Sequence, residues 1–292
     1  MSVASEIIAC FLCLSGASRE IDEKTFYRQM RREAIRNAKG DKSLPFFLGV
    51  RGEKGVYCGM DYFLFIPDET DTSKAVMYLH GSGYMSRYQR VQLRFAADLA
   101  RDLHAKVYFP LYPKLPNATA LSCSALLNNF YVFLRKKGEV LLIGDSSGGA
   151  LGLSLANLQP SVRSVIAISP WVRLPIGEEG REVESDRMLS LSKLEYTAGL
   201  WRGGVDRRDP RVSPIYGDYG GKDILLIAGE REIFRPDIRE FFRIHSEQGA
   251  TVTYLEGRGQ QHCYPLMPTP EGKSARKEIL CKMRAVLYGD KR

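Results

Sequence analysis

The 292 residues contain no internal repeat and no low-complexity segment, which excludes solenoid, collagen-like and tail-dominated architectures. Long apolar runs are missing too. The run "IIACFLCL" (7–14) is too short to cross a bilayer, so no stable membrane insertion is expected. It lacks a basic n-region, and Glu6 precedes it, which argues against a secretory signal. It reads instead as an amphipathic helix covering something apolar. Cysteine is sparse: Cys10, Cys13, Cys58, Cys123, Cys263 and Cys281 are irregularly spaced. That spacing gives no disulfide framework, and the lone C-x-x-C at Cys10 and Cys13 has no second pair for a metal. Reduced thiols point to the cytoplasm. Histidine is scarcer still, with four in the chain, so candidates for a general base are few.

Charge of both signs is present, with a formal net of +8. The basic residues gather in "RQMRREAIRNAKGDK" (28–42) and "KSARKEILCKMR" (273–284), which read as helices with solvated faces. No aromatic-interleaved or helix-turn-helix pattern accompanies them, so no nucleic-acid partner is expected.

The remaining pattern is an alternation. Residues 1–40 read as amphipathic helix. "LPFFLGVRGEKGVYCGMDYFLFIP" (44–67) reads as a hairpin around G-E-K-G. Strands are then expected at 74–80, 106–112, 139–144, 162–170, 223–229 and 251–257. Helices are expected at 90–103, 124–137, 149–158, 237–249 and 274–289. This order implies an α/β fold, a mostly parallel sheet with helices on both faces. The short, continuously apolar strands fit burial on both sides. Residues 173–215 break the rhythm with far more chain than one helix needs, including the helical "DRMLSLSKLEYTAGLW". An insertion there sits above the carboxyl ends of the strands, where open α/β sheets bind ligands.

The chemistry starts at "EVLLIGDSSGGAL". Gly144-Asp145-Ser146-Ser147-Gly148 is a G-x-S-x-G between a strand and a helix. That setting suits a nucleophile elbow, with Ser146 on a sharp turn. A chymotrypsin-like reading fails, because that architecture is all-β and its serine follows histidine and aspartate. Ser147 as nucleophile would break the glycine spacing. Among the histidines, His80 and His104 precede the serine, and His245 reads as a surface residue of a helix. His262, in the loop "GRGQQHCYP", can serve as the base. The acid follows "DILLIAG": Glu232 and Asp237 are the main candidates, with Glu230 third. Position in the turn favours Glu232, whereas Asp237 suits the start of the next helix. His80-Gly81-Ser82-Gly83 reads as an oxyanion loop, with the N–H groups of Ser82, Gly83 and Ser147 as donors. Arg87, Arg90 and Arg94 follow that loop and read as a solvated helix face.

Taken together, "YLHGSGY", "YPKLPNAT", "IGDSSGGAL", "ISPWV", "DPRVSPIYG", "GEREIF" and "QQHCYP" resemble the hormone-sensitive-lipase-like group of α/β-hydrolase esterases. The resemblance covers roughly residues 45 to 290. It implies the α/β-hydrolase fold, with N-terminal cap helices in 1–45 and a core in 46–292 carrying a cap insertion at about 173–215. It also implies a cofactor-free, metal-free carboxylic ester hydrolase favouring short acyl chains, working through Ser146, Glu232 and His262. The chain departs from the group at Ser82 in place of a glycine, at Glu232 in place of the usual aspartate, and at Arg173 after "SPWV". Two other functions stay open: a serine peptidase on the same fold, and a non-catalytic ligand-binding member. The closing strand and helix offer an edge at which two copies could form a homodimer.

Overall fold

The computed structural model describes residues 1–39 and 44–289, so the last residues of the basic run 28–42 lie outside the described residues. Eight strands form one sheet: β1 Val50–Tyr57, β2 Met60–Pro67, β3 Asp71–Leu79, β4 Ala105–Pro110, β5 Glu139–Asp145, β6 Ser164–Ile168, β7 Asp223–Gly229 and β8 Thr251–Gly257. Their spatial order is β1-β2-β4-β3-β5-β6-β7-β8. The β1–β2 and β2–β4 pairs are antiparallel, and every pair from β4 through β8 is parallel. Nine helices accompany the sheet among the described residues: α1 Val3–Ser15, α2 Glu23–Ala38, α3 Arg90–Leu103, α4 Ala120–Arg135, α5 Ser147–Leu158, α6 Glu178–Arg181, α7 Leu191–Arg202, α8 Arg235–Glu247 and α9 Pro270–Tyr288.

Alternation along the central strands divides the core between two faces. On β3, Met77 and Leu79 join Leu127 and Phe130 of α4, Leu151 of α5 and Phe241 of α8. Val76 and Tyr78 join Leu93 and Leu99 of α3 and Ile279 and Met283 of α9. Both sets are buried, so these strands are apolar throughout, as a sheet covered on both faces requires.

The structure moves one turn. The hairpin does not reverse at G-E-K-G, which lies inside β1; it reverses at Cys58-Gly59, both in the left-handed region. Two consecutive residues with positive φ suit the twist of a two-residue hairpin. Gly55 pairs with Tyr62 across the ladder, and a side chain there would run into the Tyr62 ring. The glycine that suggested a turn is instead a seat for an aromatic ring.

The excursion between β6 and β7 holds α6, α7 and a short 3₁₀ turn at Pro214–Tyr216. The expected helix starts later than "DRML": Asp186 accepts hydrogen bonds from Met188 N (2.7 Å) and Leu189 N (2.9 Å), and Ser190 caps α7. The segment joining α1 to α2 clamps onto α7. Glu20 accepts from Leu191 N at 2.8 Å and from Ser192 N at 2.6 Å. Phe26 of α2 packs on Tyr196, ring centroids 5.2 Å apart.

Candidate active site

Parallel strands end in step, and their carboxyl ends gather the candidate residues. β3 and β5 pair Leu79 with Gly144, β5 and β6 pair Asp145 with Ile168, and β7 and β8 pair Gly229 with Gly257. The residues just beyond these ends are His80, Ser146, Ser169, Glu230 and Arg258.

Ser146 sits between β5 and α5 at φ 54, ψ −124, a conformation serine rarely adopts. Its N–H donates to Ile168 O at 2.8 Å, and its C=O accepts from Ala150 N at 3.1 Å. The flanking glycines permit the turn. A Cβ on Gly144 would overlap the backbone of Gly148, and one on Gly148 would overlap the Leu79 and His80 carbonyls. G-x-S-x-G is thus a packing requirement here. Strand, turn and helix are too close for side chains at either glycine.

Asp145 is buried and holds the neighbouring loop. Tyr78 Oη donates to its Oδ1 at 2.7 Å, and Gln92 Nε2 to its Oδ2 at 2.7 Å. Gln92 Nε2 also reaches Gly81 O at 2.9 Å. Burial raises the Asp145 carboxyl pKa, while the hydrogen bonds from Tyr78 and Gln92 oppose that rise. His80 is fully buried, stacked between Phe109 (5.1 Å) and Tyr112 (4.7 Å), with Nδ1 3.1 Å from Gly81 O. Burial holds its pKa well below the ordinary histidine value, so it is a neutral structural ring.

The oxyanion loop differs from expectation at Ser82. Its N–H donates to Ser147 Oγ at 3.0 Å and is already engaged. Ser82 Oγ lies 3.2 Å from Tyr112 Oη, which donates to His80 O at 2.6 Å. Among the described residues, neither the Gly83 nor the Ser147 N–H has an acceptor. Ser147 opens α5, where helix N–H groups lack intrahelical partners.

His262 and Glu232 meet. His262 Nδ1 lies 2.8 Å from Glu232 Oε2, and both side chains are buried. Burial raises the Glu232 carboxyl pKa, with His262 and the nearby Ser169 hydroxyl pulling it down. Glu232 Oε1 nevertheless lacks a hydrogen bond of good geometry. Burial opposes a charged imidazole at His262, whereas Cys263 and Glu232 favour one; the balance lies well above the ordinary value. Burial pushes the Cys263 thiol up to about 11. Glu232→Nδ1 contact leaves His262 Nε2 as the nitrogen that can face a substrate.

Asp237 does not reach this pair. It accepts from Gly177 N at 3.0 Å and lies 2.8 Å from Arg173 Nε. Arg173, where the related pattern has aspartate, is therefore matched by Asp237 and by Glu240, with which it also pairs. Glu230 accepts from Gly259 N at 2.5 Å. The reading of His245 as a surface residue is wrong: it is buried, its Nε2 3.1 Å from Ile215 O, packed on Tyr219 and Phe241. Burial also lowers its pKa. A helical position gives no warning of this, because Ile215 and Tyr219, which cover it, come from the segment before β7.

Ser146 and His262 line one cavity of about 300 Å³ with Gly81, Ser82 and Gly83. Its far wall comes from the insertion, with Met188, Leu189, Leu194 and Thr197, and from Ala17 between α1 and α2. Arg87 lines it too, whereas Arg90 and Arg94 are exposed, so the expected solvated face holds for two of the three. Four residues that sequence reasoning missed support the site: Tyr78, Gln92, Tyr112 and Ser169, whose hydroxyl accepts from Cys263 N at 2.9 Å. Only Ser169 carried a signal, its place at the end of β6; the others reach Asp145, Gly81 and His80 from separate elements. An aromatic column completes the support. Tyr84 stacks on Trp201 (4.2 Å) and Trp171 (5.6 Å), Trp171 on Phe234 (5.4 Å), and Phe234 meets His262 edge-on (5.2 Å).

Comparison with known proteins places the fold. The chain is 26% identical over 82% of its length, and 82% of the relative's, to a protein assigned as an acetyl-hydrolase, LipR, of Mycobacterium tuberculosis. It is 25% identical to an esterase of Acinetobacter venetianus, over 79% of the chain and 78% of the relative. A crystal structure of an esterase from the bacterial hormone-sensitive lipase family superposes with TM-score 0.80 at 19% identity, over 97% of this chain and 98% of that one. An esterase/lipase from an uncultured bacterium gives 0.82 at 19% identity, over the same shares. The family model for the alpha/beta hydrolase fold matches residues 76–266, and the chain belongs to that family.

Proposed function

We propose that the chain is a serine carboxylic ester hydrolase acting on short-chain, acetyl-like acyl esters through Ser146, His262 and Glu232. The observation that carries this reading is the buried His262–Glu232 hydrogen bond in the cavity that Ser146 lines. The names of the relatives, acetyl-hydrolase and esterase, support it. The small cavity volume supports a short acyl group.

In the proposed reaction, His262 Nε2 takes the Ser146 proton as Oγ attacks the ester carbonyl carbon. Glu232 accepts from Nδ1–H, which fixes the tautomer and stabilises the imidazolium that forms. The oxyanion is received by the N–H groups of Gly83 and Ser147, at the positive end of α5. The Ser82 N–H joins them if the Ser147 hydroxyl turns away. The tetrahedral intermediate collapses, His262 protonates the leaving alcohol, and the acyl group stays on Ser146. Water then attacks the acyl-enzyme with His262 as base, the bond from the acyl carbon to Ser146 Oγ breaks, His262 returns the proton to Oγ, and the carboxylic acid leaves. Residues 1–45 and the insertion at about 173–215 serve as the cap. Ala17, Met188 and Leu194 on the cavity wall support that role.

Ser146→Ala tests the proposal. Turnover of p-nitrophenyl acetate is expected to fall about 10⁴-fold or more, with an unchanged circular dichroism spectrum. A fluorophosphonate probe should label the parent protein and not the variant. Unaltered turnover in the variant rejects the assignment. Absence of both turnover and labelling in the parent points to a non-catalytic ligand binder.

A further inference from the structure

The helix α1 carries apolar residues on both of its sides. Its buried positions are the small Ser5 and Ala9. Its large apolar residues face solvent: Val3 is 76% exposed, Ile7 62%, Phe11 69% and Leu14 82%. With exposed Cys10, these residues fall within an arc of about 100° at 3.6 residues per turn. Half-buried Ile8 and Leu12 lie on the same side as Ser5 and Ala9, so the inner face of the helix is apolar as well. Polar contacts fasten the helix to the core: Ser2 Oγ donates to Glu271 Oε2 at 2.7 Å and Ser5 Oγ to the same oxygen at 2.9 Å. The outer apolar side is left over.

An uncovered apolar stripe on a helix that polar anchors hold in place marks an interaction surface. Its ends identify the partner. Arg258 is exposed beside Gly259, on which Met1 packs at the start of α1. Arg19 is exposed past the other end, its side chain folded against Gly16. Neither guanidinium forms an ion pair with a described residue. The stripe itself carries one charge at its edge, Glu6. The helix α2 that follows exposes Lys24, Arg28, Arg31, Arg32 and Arg36. Each end of the stripe carries an arginine, so a second copy laid along it in either direction would bring arginines together. An anionic bilayer accepts both features: acyl chains take the apolar side of an in-plane helix, and headgroups take the arginines.

We propose that α1 docks in the plane of an anionic lipid surface, with Ile7, Phe11 and Leu14 entering the acyl boundary and Arg19 and Arg258 meeting headgroups. Among the described residues, no helix is long and apolar enough to cross a membrane. Because Ala17, just beyond α1, lines the cavity that holds Ser146, docking sets that cavity beside the lipid.

Flotation with vesicles of phosphatidylcholine, and of phosphatidylcholine mixed with phosphatidylglycerol, tests this on the full chain. The protein should float with the mixed vesicles at low salt and release at high salt. Ile7→Asp with Phe11→Asp should weaken partitioning at least tenfold. Arg19→Gln and Arg258→Gln should each weaken it about fivefold. All these variants should keep the parental thermal midpoint and the parental rate on dissolved p-nitrophenyl acetate. A parent that stays in solution with mixed vesicles overturns the proposal, as does a double-aspartate variant that floats like the parent. A parental dimer that this variant converts to monomer also overturns it, showing the stripe to be covered by a second copy. Vesicle binding does not involve Ser146, so a failure of the esterase reading leaves this result interpretable.

Discussion

Glu232 and Asp237 both follow β7, and both are buried. What separates them is the partner each finds. Glu232 bonds to His262, while Asp237 is used by Gly177 N and Arg173. The sequence ranked the two by position in the turn, and that order matches the contacts. It could not show that Arg173, in a loop far earlier in the chain, occupies Asp237. Nor could it show that Ser147 Oγ would take the Ser82 N–H, since both residues read as backbone donors. If Glu232 orients His262, Glu232→Ala should lower kcat about 10³- to 10⁴-fold, and Glu232→Asp should recover part of the loss. The pH profile gives an independent readout. In the proposed reaction His262 is a base only when neutral, and its pKa lies above the ordinary value, so kcat/KM should fall as pH drops through that raised pKa. Removing the carboxylate removes support for the imidazolium. The acid limb should therefore move to lower pH in Glu232→Gln. An acid limb that stays in place would show that Glu232 is not coupled to the base.

At the level of elements, the turn from β5 to α5 makes glycine substitutions predictable in sign. Gly148→Ala drives a methyl into the Leu79 and His80 carbonyls, which are backbone and cannot yield. It should cost about 1–3 kcal/mol or more. Gly152, one turn further along α5, has Val165 Cγ1 at 3.6 Å and Leu79 Cδ1 at 3.8 Å from an added Cβ, ordinary contact distances. Gly152→Ala should stabilise by about 0.5–1 kcal/mol by reducing the freedom of the unfolded chain and raising helix propensity. Urea midpoints of the two variants should move in opposite directions; a shared direction would contradict the packing described for this turn. The contrast also explains what was legible. Apolar periodicity marked the strands and helices, because both faces of the sheet are covered and each element must bury a stripe. The hairpin turn was misplaced because glycine has two uses, reversal at Gly59 and a flat seat for Tyr62 at Gly55, and the letters are the same. The outer stripe of α1 was not legible because its run is apolar on both sides, with Ile8 and Leu12 turned inward and Ile7, Phe11 and Leu14 outward.

Across the whole molecule, the site depends on three segments distant in sequence meeting above the sheet. Asp186, in the insertion, joins them. Its Oδ1 accepts from Met188 and Leu189, which begin the cavity wall, and its Oδ2 accepts from Ile233 N at 3.0 Å, next to Glu232. The neighbouring Arg187 N donates to Gln261 Oε1 at 2.9 Å, next to His262. None of this was readable beforehand, because the insertion has no periodic pattern before α7 and its partners lie beyond β7 and β8. The arrangement ties the insertion to the loops that carry Glu232 and His262. Asp186→Ala leaves Ile233 N–H without an acceptor and should cost about 1–3 kcal/mol in stability. The same substitution loosens the loops carrying Glu232 and His262, so kcat on p-nitrophenyl acetate should fall about tenfold or more, with little change in KM. Asp186→Asn should be intermediate. Its amide oxygen can still accept from Met188 and Leu189, but its Nδ2 then faces another donor at Ile233. Urea unfolding and steady-state kinetics on both variants separate the two effects. Loss of stability with kcat intact would mean that the insertion only covers the cavity. A matched fall in kcat and stability, graded from asparagine to alanine, means that it also holds the base and its acid in place.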